Sequence, residues 1–157
     1  MGCIYAAAKA DRRQLCPFCR TPEATSWGES IGRLEKRAEG NDAIAINSLA
    51  AYCNDGRMGL PQDHNKAMEL WLRAGELGCA CAYYNVADTY FKGEGVERDM
   101  KKAKYYDELA SIGGDANSRH NLGFEEMKAG NLGRAMKHWM IGARAGHDSS
   151  LEKIQEC

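Results

Sequence analysis

Three stretches of this chain repeat one another, and any fold it adopts has to satisfy that period. The units run 42–78, 79–114 and 115–146, starting 37 and then 36 residues apart, and a further start follows 33 residues later at Asp148. Landmarks recur in the same order. A small residue follows each junction (Ala43, Ala80, Ala116, Ser149). Further on comes an apolar position (Leu49, Val86, Leu122) followed by a small one (Ala50, Ala87, Gly123). A glycine-containing break comes next, then Ala67, Ala103 or Ala135, and each unit closes on Gly78, Gly114 or Gly146. Periods of this size belong to stacked arrays, in which no unit can bury its own apolar face.

Each unit has the pattern of two helices. Ile46, Leu49 and Ala50 in the first unit, and Tyr83, Val86, Ala87 and Tyr90 in the second, follow i, i+3, i+4, i+7 spacing, which places them on one helical stripe. A glycine then ends the helix, because the position after it tolerates a left-handed backbone. Asp63 and Asp99 stand where an N-cap would satisfy the first amides of a second helix. That helix carries Ala67, Leu70, Trp71 and Ala74 in unit one, Ala103, Tyr106 and Ala110 in unit two, and Ala135, Trp139 and Ala143 in unit three. The ends read as caps. Ser26-Trp27-Gly28-Glu29 has capping-box spacing before a stripe of Ile31, Leu34 and Ala38, and Ser149-Ser150-Leu151-Glu152 repeats the box before Ile154. The expectation is an all-α solenoid of antiparallel helix pairs over 26–157. It has a capping helix at 27–40, a closing helix at 148–157 and a short irregular segment at 1–25.

Leu60-Pro61-Gln62-Asp63 through Lys66-Ala67-Met68-Glu69-Leu70-Trp71-Leu72-Arg73-Ala74 resembles the second half of a Sel-1-like repeat. So does Gly93-Glu94-Gly95-Val96-Glu97-Arg98-Asp99-Met100-Lys101-Lys102-Ala103, and Asn121-Leu122-Gly123 is similar to the N-L-G of the family's first helix. There are departures. Asp107 stands where Trp71 and Trp139 stand, Glu126 stands where an aromatic is usual, and unit three lacks the G-x-G-V loop. The resemblance implies a right-handed, tetratricopeptide-like superhelix of the kind used by adaptors and scaffolds, with no catalytic residues and no required cofactor.

The N-terminal cysteines carry a second signal. Cys16-Pro17-Phe18-Cys19 has the C-x2-C spacing that lets two thiolates meet one zinc. With Arg20 after it, it resembles the last ligand pair of a RING finger, and Gly2-Cys3-Ile4-Tyr5 resembles the end of a preceding pair. That domain takes eight ligands in a cross-braced order. Cys3, Cys16 and Cys19 supply three of them, so the match is to a truncated C-terminal part of the domain. Four readings stay open: a RING remnant without metal, a partial zinc site closed by Cys3 or by a second chain, a working ubiquitin ligase, and a dithiol redox site. Acylation at Gly2 and Cys3 is not expected, because Ala6 stands where the signal asks for Ser or Thr.

With 21 basic and 22 acidic side chains the net charge is −1, which offers no field for a phosphate backbone or an anionic lipid surface. No apolar run reaches the roughly 18 residues of a membrane span, and no signal-peptide core precedes the repeats. A soluble cytoplasmic or nuclear protein is expected. Its partner would be a protein or peptide, with neither nucleic acid nor membrane involved.

The residues expected to face that partner lie on the first helices. Ser48, Asn85 and Asn121 hold equivalent places, flanked by Asn47, Tyr84 and His120, and Asp88 lies one turn further along. Amide side chains there would hold a partner's backbone or, alternatively, bond to the neighbouring loop. Cys79-Ala80-Cys81 reads as repeat variation, and His64, His120, His138 and His147 converge on nothing that spacing defines.

Overall fold

A computed structural model describes residues 26–156. The segment 1–25, with Gly2, Cys3, Cys16 and Cys19, lies outside the described residues. Among them are eight helices and no strand: α1 (Trp27–Glu39), α2 (Ala43–Asp55), α3 (His64–Glu76), α4 (Ala80–Lys92), α5 (Met100–Ile112), α6 (Ala116–Lys128), α7 (Leu132–Arg144) and α8 (Asp148–Glu156). Packing is dominated by neighbours in the chain. The closest partnerships are α2 with α3, α4 with α5 and α6 with α7, and looser ones join each pair to the next. That is the contact pattern of a solenoid.

The junction between pairs is one turn used four times. Gly78, Gly114 and Gly146 take φ of 94°, 91° and 91°, and Asn41 holds the same role at 59°. The next amide, at Asp42, Cys79, Asp115 or His147, reaches back five residues to the carbonyl of Arg37, Ala74, Ala110 or Gly142. This satisfies carbonyls that the ending helix leaves without partners. Helix starts are equally local. Asp63 accepts from the Lys66 amide at 2.9 Å, Asp99 from Lys101 and Lys102, and Ser26 from Glu29. The closing helix departs from its expected cap. Ser149 is already helical, and His147 Nδ1 accepts the Ser150 amide at 3.1 Å instead. Ser150 is wholly buried there while Leu151 is half exposed, so Leu151 is not what seats α8.

The Gly93-Glu94-Gly95 loop is required by space. A side chain at Gly95 would overlap His64 of the preceding pair, and Gly93 ends α4 in the left-handed region at φ 77°. The core is continuous from unit one into unit two. Ile46, Ala50, Ala67 and Ala74 have no exposed surface, Trp71 almost none, and Ala82 and Val86 carry the packing onward. Alanines recur where helix backbones approach, and aromatic rings fill the gaps. Tyr106 stacks on both Tyr83 and Tyr90, at 6.0 and 5.9 Å.

Candidate partner-binding groove

The second helices differ at their eighth residue. Trp71 of α3 is 5% exposed and Trp139 of α7 is fully buried, its Nε1 donating to the His120 carbonyl at 3.2 Å. In α5 the same place holds Asp107, 8% exposed. A carboxylate is far smaller than an indole, and a groove of about 220 Å³ opens there between α4, α5 and α6. Tyr84, Asp88 and Phe91 line it from α4, Met100, Lys104 and Asp107 from α5, and Asn121, Phe124, Glu125 and Lys128 from α6.

The charges around it are mostly spoken for. Asp88 pairs with Lys92 at 2.6 Å and Glu125 with Lys128 at 2.9 Å. Asp107 has no ion pair. It accepts from Asn121 Nδ2 at 3.2 and 3.4 Å, and the Ser118 hydroxyl lies beside it without an aligned bond. Burial pushes its carboxyl up to about 6, helped by the charges of Asp115 and Asp88 and opposed by Ser118 and Asn121. Burial raises the Tyr84 hydroxyl above its ordinary range as well, and Asp88, Asp107 and Asp115 add to that.

Three of the residues expected to face a partner therefore meet at this groove: Tyr84, Asp88 and Asn121. The others lie elsewhere. Asn85 Nδ2 donates to Asn47 Oδ1 at 3.0 Å, tying α4 to α2, and Ser48 donates to the Ile44 carbonyl of its own helix. The neighbouring loop is not what these amides bond to. Asn121 is equivalent to Asn85 in the repeat but turns to Asp107. His120 sits at the closing end, where its Nδ1 lies 2.9 Å from Ser150 Oγ and its ring 4.3 Å from that of His147. The expectation that the histidines converge on nothing is thus corrected. The fold brings His120 of α6 and His147 of the turn before α8 around the Ser150 hydroxyl, and burial lowers the His120 pKa. Asp107, Phe91 and Phe124 were not singled out as partner-facing residues. The one available signal was the missing tryptophan.

Elsewhere, Cys53 and Cys79 are buried and Cys81 is exposed. No helix among the described residues is long and apolar enough to cross a membrane.

Comparison with known proteins places this geometry. A family model of the Sel1 repeat matches residues 43–79 and 82–115. The solved structure of a Sel1 repeat protein from Oxalobacter formigenes is 27% identical with a TM-score of 0.75, over 80% of this chain and 52% of its own. A second, c5321, is described as a protective antigen present in uropathogenic Escherichia coli strains displaying an SLR fold. It is 28% identical with a TM-score of 0.67, over 76% of this chain and 26% of its own. A curated relative, the ERAD-associated E3 ubiquitin-protein ligase component HRD3B of Arabidopsis thaliana, is 29% identical over 111 residues. The match takes in 70% of this chain but only 17% of that protein. Two of the three units match the Sel1 repeat model, and the helical array shares the fold of solved Sel1-repeat structures.

Proposed function

We propose that the solenoid is an adaptor that holds a partner polypeptide in the groove between α4, α5 and α6, and that it performs no catalysis itself. Sel1-repeat arrays serve as protein-interaction scaffolds, and the observation that carries the reading to this site is the groove itself. It is the place where the array leaves an aromatic-walled opening in a position the neighbouring units fill with tryptophan. Phe91 and Met100 are 46% and 40% exposed on its walls, apolar surface that a partner side chain would cover. A photo-crosslinking residue at Tyr84, compared with one at the exposed Glu69 of α3, tests this in the native host. Crosslinks to a protein from position 84 that are absent from position 69 support it. Equal capture at both positions overturns it.

The second reading is membership of a ubiquitin-ligase assembly, with zinc held by Cys3, Cys16 and Cys19. Its support is the likeness to a ligase component among the relatives together with the C-x2-C spacing of Cys16 and Cys19. Zinc per chain, measured in protein purified under reducing conditions and in a Cys16→Ser/Cys19→Ser variant, decides it. Stoichiometric zinc that the variant loses supports a metal module. Metal-free protein in both cases removes it.

A further inference from the structure

We propose that the groove recognises its partner through one arginine or lysine side chain, with Asp107 as the receiving carboxylate and Phe91, Met100 and Phe124 holding an apolar residue beside it. This rests on the reading of the groove as a partner site and adds the chemistry of what enters it.

The first argument is volume. About 220 Å³ lies below the roughly 300 Å³ at which small-molecule pockets begin, so the groove suits a side chain better than a cofactor. The second is uncompensated charge. A buried carboxylate is ordinarily paired, because leaving it alone in a medium of low polarisability is costly. Asp88 and Glu125 already have Lys92 and Lys128. Lys104 lines the groove from the same helix but makes no ion pair with Asp107. What remains is one negative charge on the floor, with no cation beside it and only the Asn121 amide and the Ser118 hydroxyl for company. A cation brought from outside completes it. Arginine matches best, since its planar fork meets a carboxylate with two parallel hydrogen bonds.

The third argument concerns cost. Burial pushes the Asp107 carboxyl up to about 6, so near neutral pH it is ionised against its surroundings and the fold bears the penalty. The groups that shift it are Asp88 from α4 and Asp115, Ser118 and Asn121 from α6 and its N-cap, and Tyr84, Lys104, Glu125 and Lys128 face the groove beside it. Asp115 and Asp88 raise the carboxyl further. An arriving guanidinium removes the penalty, and that relief adds to its binding. Binding should therefore weaken as the carboxyl takes up its proton. From pH 7.5 to pH 5 the ionised fraction of a group titrating near 6 falls about tenfold.

The experiment is selection of phage-displayed random heptapeptides on the full chain, followed by titration of the selected peptides made synthetically. The expected winners carry Arg or Lys next to an apolar residue. Replacing that Arg by citrulline, its neutral isostere, should cost at least tenfold in affinity. Asp107→Asn should cost the Arg peptide the same factor, leave the citrulline peptide unchanged, and flatten the pH dependence. Asn keeps the acceptor for Asn121 without the charge, and a thermal melt of the variant checks that it folds. Winners without a basic residue, or winners whose affinity survives Asp107→Asn, overturn this inference. If those same peptides are lost on Tyr84→Ala or Phe124→Ala, the groove still stands as a partner site. If no peptide is selected, or all bind these variants undiminished, both readings fall.

Discussion

Units one and three carry a tryptophan at the eighth residue of their second helices, and unit two carries an aspartate there. The backbone is the same in each case: thirteen-residue helices beginning at His64, Met100 and Leu132, with the eighth residue pointing at the neighbouring helix. The indoles of Trp71 and Trp139 fill that space, whereas the carboxylate of Asp107 leaves it open and charged. One substitution within a repeat can thus turn a packing position into an open, charged one without altering the architecture. The exchange lowers local stability, and the comparison can be tested in those terms.

The largest effect is expected where the indole is most enclosed. Trp139→Ala should lower unfolding stability by about 3–5 kcal/mol, read from urea midpoints. A loss under about 1 kcal/mol would mean that the site collapses around the gap and that tryptophan is not what fills a unit. Asp107→Asn should act in the opposite direction, raising stability at pH 7.5 by about 2 kcal/mol and by almost nothing at pH 4. The sign follows from the titration. The folded carboxyl binds its proton through about 6, against an ordinary value of 3.8. Its contribution is therefore favourable at low pH and is lost as pH rises through 6. Wild type and variant melting together at every pH would show that Asp107 carries no penalty.

Two finer contrasts follow. Asn121→Ala strips the ionised carboxylate of its donor and should cost about 2 kcal/mol at pH 7.5. Asn85→Ala breaks only an amide pair with Asn47, and should cost about 1. Equal losses would mean that the charge in unit two does not matter. The smallest effect separates the two tryptophans. Trp139 Nε1 bonds to the His120 carbonyl, while Trp71 Nε1 is buried without a partner. Trp139→Phe should therefore cost about 1 kcal/mol more than Trp71→Phe, measured by paired chemical denaturation.

What could be read in advance was what depends on near neighbours in the chain. The helix starts at Asp63 and Asp99 were legible because a cap is completed within three residues. The closing glycines were legible because the left-handed turn is a property of the residue itself. The groove was only half legible. Tyr84, Asp88 and Asn121 stood out by position on the first helices, but Asp107 registered merely as a departure. Nothing local says that a missing indole leaves a cavity or that no lysine fills it. The approach of His120 to His147 and Ser150 was invisible for the same reason, since only the fold brings the closing turn against α6. The expected cap at Ser149 failed because a histidine ring nitrogen took a role usually given to an oxygen.

The unpaired charge of Asp107 also bears on how the array comes apart. A linear stack unfolds as one body only while every joint between neighbours is strong enough to transmit order. The joint of α5 with α6 holds an ionised carboxylate above pH 6 and a neutral acid below it. Near neutrality that joint is expected to be the weaker one, and amide hydrogen exchange should then distinguish a block ending in α5 from one beginning at α6. In mild acid that difference should shrink. An arginine seated in the groove would have the same effect at neutral pH, so that occupancy would be felt as cooperativity along the whole array.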